Sequence, residues 1–178
     1  MTGVKIITRA GKEITLAEWQ KQYGLTENQI GHHFSLTETR FKTDLVQYGE
    51  LVVNELLMRF LDAFREAVGP ITINSFNRNQ EKQDELKSEG FKTAKYSPHV
   101  AKIAADIDTK TVEQTREWAR KAKEVAAAIG IKIRVGSEQY IKAGMTFIHV
   151  DVGPEYYAKG RPFHEQFHPV QWESQIYW

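Results

Sequence analysis

The segment SPHVAKIAADID, at 97–108, holds the residues with the clearest capacity for chemistry. His99, Asp106 and Asp108 stand there in a run that is otherwise poor in polar groups. Side chains on a β-strand alternate between its two faces. We therefore expect Asp106 and Asp108 on one face of a strand, with Ile103, Ala105 and Ile107 on the other. His99 lies seven residues before Asp106, so a loop must fold back to bring them together.

A second segment, FIHVDV at 147–152, repeats this design. Ile148, Val150 and Val152 share one face, and His149 and Asp151 share the opposite face with Phe147. If this strand lies beside the first one, Asp106, Asp108, His149 and Asp151 crowd one surface. Carboxylates at such close range repel one another, and a divalent cation would relieve that repulsion. The alternative is the ordinary polar face of a half-exposed antiparallel strand.

The donor types indicate which metal this surface would take. The chain has no cysteine, so any ligands must come from His, Asp or Glu. Two neutral imidazoles and one carboxylate suit a catalytic zinc ion and leave one position for water.

Composition places these segments in an ordinary globular domain. The chain has 178 residues, of which 41% are apolar and 26% are charged, as expected for one domain. A net charge of +1 gives no reason to expect nucleic acid or an anionic membrane as a partner. No run approaches the roughly 20 apolar residues of a membrane span, and no signal peptide is recognisable at the start of the sequence. We expect a monomer.

The surrounding sequence predicts an α+β domain. Helices are expected first: a short one at 14–24 that Gly24 closes, then one that Ser35 or Thr37 caps and that runs to Gly69-Pro70. Residues 79–90 are polar and fit a solvated helix or a loop. Strands with one long helix at 111–130 follow; these strands are expected at 71–76, 102–108, 131–136 and 145–153. This order favours a small, mainly antiparallel sheet with helices packed on one face.

Three motifs resemble those of the zinc D-Ala-D-Ala carboxypeptidase family, which includes phage endolysins and the zinc-bearing Hedgehog signalling domain. SPHVAKIAAD resembles the pattern S-x-H-x-x-G-x-A-x-D, and FIHVDVGP resembles the motif that supplies the last histidine ligand. ITINSFNRN resembles I-x-I-x-S-G-Y-R-S. The resemblance covers about residues 35–154. It implies a Hedgehog/DD-peptidase-like fold, with the zinc site on the sheet face opposite the helices.

The resemblance also implies roles for individual residues. His99, Asp106 and His149 match the zinc ligands of the family. Ser97 and Arg78 match positions that contact substrate, and the planar guanidinium of Arg78 would pair with a carboxylate or a carbonyl. Without the motifs, Ser97 would be interpreted as a turn hydroxyl and Arg78 as part of a surface ion pair.

The sequence departs from the family pattern in three places. Lys102 stands where the glycine of the first motif is expected, and Phe76-Asn77 replaces the glycine and tyrosine before the arginine. Thr146 stands three residues before His149, where several family members carry an acidic general base. A threonine cannot serve as that base.

The general base is therefore open. Asp151 is one candidate, and orientation of a ligand histidine is its alternative role. Glu138 is the other candidate, with an exposed loop charge as its alternative. His164 and His168 could act as general acids or oxyanion donors if the end of the chain folds back over the site, and surface residues are the alternative. Asp108 could hydrogen-bond a ligand or face solvent.

The function that the resemblance implies is a zinc-dependent peptidase acting on stem or cross-link peptides of bacterial peptidoglycan. The zinc peptidase core would span 35–154, after an N-terminal helical extension at 1–34 and before an aromatic tail at 155–178. We expect a phage-type lysis enzyme that is made in the cytoplasm and reaches the wall after release or from a virion. The alternative is a non-catalytic zinc-bearing module that binds the cell wall or belongs to a virion.

Overall fold

A computed structural model describes residues 3–90, 97–157 and 160. It shows two small β-sheets and seven helices within these ranges. The α+β class predicted from the sequence is confirmed. Most of the aromatic tail expected at 155–178, including His164 and His168, lies outside the described residues.

The larger sheet has four antiparallel strands in the order β4-β5-β7-β6. Strand β5 therefore pairs with both β4 and β7, and the last strand in sequence lies inside the sheet. The strands are Ile73–Ser75 (β4), Ala104–Asp108 (β5), Arg134–Gly136 (β6) and Phe147–Asp151 (β7). Each lies within a segment that the sequence predicted as a strand, so the mainly antiparallel sheet is confirmed.

The smaller sheet was not predicted. It has the order β2-β1-β3, in which β1 pairs antiparallel with β2 and parallel with β3. Its strands are Val4–Ile7 (β1), Glu13–Thr15 (β2) and Leu51–Asn54 (β3). The helical character expected for 1–34 is thus correct only for helix α1, Leu16–Tyr23. Thr15 caps this helix, and Gly24 ends it with a φ of 64°.

The long helix expected to reach Gly69 is two helices separated by β3. Helix α2 spans Thr39–Tyr48 and helix α3 spans Glu55–Val68. Gly49, with a φ of 71°, ends α2 in a conformation that favours glycine. The residue at the N-cap of α2 is Glu38, so the caps predicted at Ser35 and Thr37 are wrong.

Four further helices follow β4 along the chain. They are Gln80–Ser88 (α4), Val112–Ala128 (α5), Glu138–Lys142 (α6) and Gly153–Tyr156 (α7). Thr111 caps α5 through the N–H of Gln114, as its sequence position suggested. Helix α5 contacts β6 and β7 on one side and α3 on the other. Among the described residues, no helix is both long and apolar enough to cross a bilayer.

One apolar core joins the two sheets. Ile107, Ile148 and Val150 are fully buried in it, so the aliphatic faces of β5 and β7 point inward as predicted. A buried amide adds a polar connection. Asn77 accepts a hydrogen bond from Val52 N at 2.7 Å and donates one to Val52 O at 2.9 Å. The segment after β4 is therefore fixed against β3 of the other sheet.

Candidate metal centre

Strands β5 and β7 pair directly, which is the condition that the sequence analysis set for a shared polar surface, and their register sets the centre of the site. Asp106 lies directly opposite His149, and Ala104 lies opposite Asp151. Residues opposite each other in an antiparallel pair present their side chains on the same face. The carboxylate of Asp106 and the imidazole of His149 therefore meet, with 2.8 Å between Asp106 Oδ1 and His149 Nδ1.

His99 reaches the same point from a turn that precedes β5. The carbonyls of Ser97 and Pro98 accept hydrogen bonds from Ala101 N and Ile103 N, which folds the chain back before the strand begins. The ring nitrogen His99 Nδ1 lies 2.8 Å from the carbonyl oxygen of Phe76. Since a carbonyl only accepts, Nδ1 carries the proton, and Nε2 is left to face Asp106 Oδ1 at 3.2 Å.

These three side chains form a group with metal-binding geometry. One donor atom from each of His99, Asp106 and His149 lies within 4.8 Å of the other two. The side chains are buried, with exposed fractions of 4% for each histidine and 13% for the aspartate. Two ring nitrogens and one carboxylate oxygen are the donors that zinc accepts in sites with three protein ligands. The residues present therefore fit a zinc ion.

Asp151 lies behind His149 rather than beside Asp106. Its Oδ2 is 3.2 Å from His149 Nε2, the ring nitrogen that points away from Asp106. The same carboxylate accepts hydrogen bonds from Arg134 Nε at 3.0 Å and from Gly153 N at 2.8 Å. Asp151 and Arg134 are both buried and lie opposite each other across β6 and β7. A carboxylate in this position fixes the orientation and tautomer of a ligand histidine.

The electrostatics of the group follow from these contacts. Burial raises the pKa of Asp106, but the charges and hydrogen bonds of His99 and His149 outweigh burial and hold it well below its usual range. Burial lowers the pKa of His149, but hydrogen bonds to Asp106 and Asp151 outweigh it and raise that pKa to about 9. A positive charge between the two carboxylates is therefore favoured, as a bound cation would also be.

Arg78 is half-buried in the turn after β4. Its guanidinium donates to Gln83 Oε1 at 2.7 Å and to Ser75 Oγ at 3.3 Å. Burial lowers the pKa of Arg78, and the negative charge of Asp106 acts in the opposite direction. The main-chain N–H of Arg78 donates a hydrogen bond to the carbonyl of His99 at 3.2 Å, so the predicted substrate-binding arginine adjoins the turn that carries one residue of the metal group.

The other predicted site residues lie in different settings. Ser97 is buried at the start of the turn that carries His99. Glu138 is not part of the metal-binding group; its side chain is 42% exposed and pairs with Arg116 Nε of α5 at 2.8 Å. Glu138 follows β6, whose last residue, Gly136, lies opposite His149. Asp108 accepts a hydrogen bond from Asn74 Nδ2 at 2.9 Å and thereby links β5 to β4.

Sequence reasoning missed two contributors. Arg134 was not singled out. A charged residue that alternates with Ile133 and Val135 in a predicted strand could have indicated a side chain on the same face as the ionisable groups. The carbonyl of Phe76, which orients His99, could not be predicted from the sequence because every residue has a carbonyl.

Thr146 stands where several family members carry an acidic residue. Its main-chain carbonyl accepts a hydrogen bond from Thr109 N at 3.0 Å.

Comparisons with known proteins find similarity only among solved structures. No protein-family model matches the chain, and no curated protein matches it. The solved structures that it resembles include the crystal structure of the L-Ala D-Glu endopeptidase ChiX of Serratia marcescens, at 18% sequence identity and a TM-score of 0.47. That alignment covers 75% of this chain and 96% of the ChiX chain.

Proposed function

We propose that this protein is a zinc-dependent peptidase that hydrolyses peptide bonds in the stem or cross-link peptides of bacterial peptidoglycan. The convergence of His99, Asp106 and His149 carries the proposal, because two ring nitrogens and a carboxylate oxygen lie within 4.8 Å of one another. The substrate class comes from the motif resemblance. A phage-type endolysin that reaches the wall after release or from a virion is the setting that we infer.

We assign metal binding and substrate binding in this hydrolysis to different residues. His99, Asp106 and His149 would hold the ion, which supplies a Lewis acid for the scissile carbonyl and an acidified water at neutral pH. The Arg78 guanidinium would bind a carboxylate or a carbonyl of the peptide, because its planar fork can pair with two oxygens. Ser97 is the second substrate contact that we propose.

The proton transfers need a group with free acceptor capacity. Asp151 has its carboxylate engaged by Arg134, His149 and Gly153, and we assign it to orienting His149. Glu138 is more available, because its ion pair with Arg116 is exposed and such pairs contribute little. Glu138 is therefore the residue that we propose to take a proton from water and pass it to the leaving amine.

Isolated cell walls provide the test. Purified protein is added with zinc or with a chelator, and newly formed amino groups are counted while metal analysis gives the zinc content. Chelator-sensitive release is the expected result. Mass spectrometry of the fragments then identifies the bond, which we expect next to D-Ala or between L-Ala and D-Glu.

A non-catalytic zinc-bearing module that binds the wall or belongs to a virion is the second candidate. Three observations favour it: Thr146 lacks an acid, Asp151 is fully engaged and Glu138 is paired with Arg116. In the same experiment this candidate predicts one zinc per chain and binding to walls without release of amino groups. That result would exclude the peptidase.

A further inference from the structure

Lys102 has an unusual backbone conformation in the turn that carries His99. Its φ is 62°, and it is the one non-glycine residue with a positive φ in the parts of the chain that the structure describes. L-residues with a side chain rarely adopt this region, because their Cβ crowds the backbone. Such a conformation persists where the surrounding structure holds the residue in place.

The Lys102 side chain makes two contacts through its ammonium group. Its ammonium group donates a hydrogen bond to the main-chain carbonyl of Arg78 at 2.8 Å. The ammonium also lies over the ring of Tyr48, 5.6 Å from the ring centre. The Lys102 side chain is half-buried, and the carboxylates of Asp44 and Glu50 interact with it electrostatically. The ammonium is therefore held in one place rather than left in solvent.

A second hydrogen bond joins the same two segments. The main-chain N–H of Arg78 donates to the carbonyl of His99 at 3.2 Å, and that carbonyl also accepts from Lys102 N at 3.1 Å. The N–H and the carbonyl of Arg78 are thus both bound to the 99–102 turn. We call the bonds Arg78 N to His99 O and Lys102 Nζ to Arg78 O the clamp.

We propose that Lys102 is a positioning residue, which holds the main chain of Arg78 against the His99 turn so that the guanidinium meets the substrate beside the metal ligands. This inference rests on the proposed function for the role of Arg78. The side chain of Arg78 has its own anchors in Gln83 and Ser75. Lys102 adds the anchor of the main chain, and the strained backbone is retained because glycine would lose that anchor.

Three substitutions separate the ammonium from the strain. Lys102→Met keeps the stem and the strain and removes the donor. Lys102→Gly removes both the donor and the strain, and Lys102→Arg keeps a cationic donor. Lys110→Met, at an exposed lysine, is the matched control. Each variant is measured for KM and kcat on cell-wall peptides, zinc content, thermal unfolding and the hydrogen exchange rate of the Arg78 amide by NMR.

We expect the Met and Gly variants to raise KM about tenfold, the scale of one charged hydrogen bond, while kcat changes by less than about threefold. Arg78 amide exchange should accelerate about tenfold in both, because opening of the clamp exposes that amide. Zinc should stay at one per chain. Lys102→Arg should restore most of KM, and Lys102→Gly should unfold at no lower temperature than Lys102→Met.

An unchanged Arg78 exchange rate in Lys102→Met overturns the clamp. Faster exchange with an unchanged KM overturns the substrate-positioning role, as does a fall in the unfolding temperature alone. A wild-type chain that cleaves no wall peptide overturns the proposed function instead, and the exchange rate of Arg78 then decides the clamp by itself.

Discussion

Asp106 places one carboxylate oxygen between two imidazoles, with 2.8 Å to His149 Nδ1 and 3.2 Å to His99 Nε2. Outer partners fix both rings, since Phe76 O binds His99 and Asp151 binds His149. Such preorganised donors bind a metal ion with little further ordering of side chains. The affinity for zinc should therefore depend on the outer partners as well as on the ligands.

The ligand assignment gives the first prediction. His149→Ala and Asp106→Ala should each abolish stoichiometric zinc, because two remaining protein donors do not make a zinc site of this class. Metal analysis after dialysis measures the zinc content of the folded variants. Zinc retained at one per chain in both would show that the ligands lie elsewhere.

Asp151 and Glu138 give opposite signatures in a second prediction. Asp151→Asn should weaken zinc binding about 10- to 100-fold, because the amide no longer matches both His149 and Arg134. Glu138→Gln should keep the zinc affinity and lower kcat about 10²- to 10⁴-fold, as expected for loss of a general base. Zinc titration and amino-group release measure the two quantities.

Glu117→Gln, on the exposed surface of α5, is the control for the Glu138 variant. Full activity of Glu138→Gln would remove Glu138 as the base. Unaltered zinc affinity of Asp151→Asn would contradict the orienting role of Asp151.

Arg134 carries a third prediction, which concerns stability. Arg134→Met removes the guanidinium that pairs with the buried carboxylate of Asp151, and breaking a buried pair in this way costs about 3–5 kcal/mol. Urea unfolding in the presence of a chelator measures the loss without a contribution from zinc. Arg59→Met, at an exposed arginine of α3, should stay within about 0.5 kcal/mol of the wild type. An equally small change for Arg134→Met would mean that its ion pair with Asp151 is not stabilising.

At the scale of elements, strand alternation was the reliable signal. The alternating patterns of β5 and β7 predicted their inward and outward faces, because one face packs on helices and the other holds ionisable groups. The pattern failed at Leu51–Asn54, where all four residues are buried. A short apolar run has too few residues to show a periodicity. Because a helix follows directly, the run was interpreted as the beginning of that helix.

Asn77 links the two sheets and carries a fourth prediction. Asn77→Ala leaves Val52 N and Val52 O buried without their partners, which should cost about 2–4 kcal/mol of unfolding free energy. Denaturant unfolding measures it, with Asn28→Ala at an exposed position as the control. A cost no larger than that of the control would show that the link is dispensable.

At the scale of the whole molecule, an ion bound at the metal group would raise the free energy of unfolding of the whole domain. A ligand that binds only the folded state stabilises it by about 2.7 kcal/mol at one hundred times its Kd. We therefore predict that excess zinc raises Tm and that a chelator reverses the rise. Magnesium should have no such effect, because nitrogen ligands do not suit it. A Tm that is indifferent to zinc would contradict the metal site.

The long-range arrangement of the molecule was less predictable than its site. The motifs predicted the three side chains that converge at the candidate metal site, whereas the smaller sheet needs Val4–Ile7 to pair with Leu51–Asn54, more than forty residues later in the chain. Nothing local in either segment specifies that partner, since pairing is decided by packing in the shared core. A lysine does not by itself predict a positive φ, so the residue type gave no sign of the backbone strain at Lys102. The motif did give a signal, because Lys102 stands where the family pattern has glycine.

The strand order has a consequence for biosynthesis. The strand that is synthesised last, β7, is inserted between β5 and β6. Until β7 has been synthesised, β5 and β6 each have one unpaired edge. Asp106 also lacks His149, which lies 43 residues later in the chain. Unpaired strand edges invite association with other chains. The three donors of the candidate metal site can therefore come together only after β7 has been synthesised.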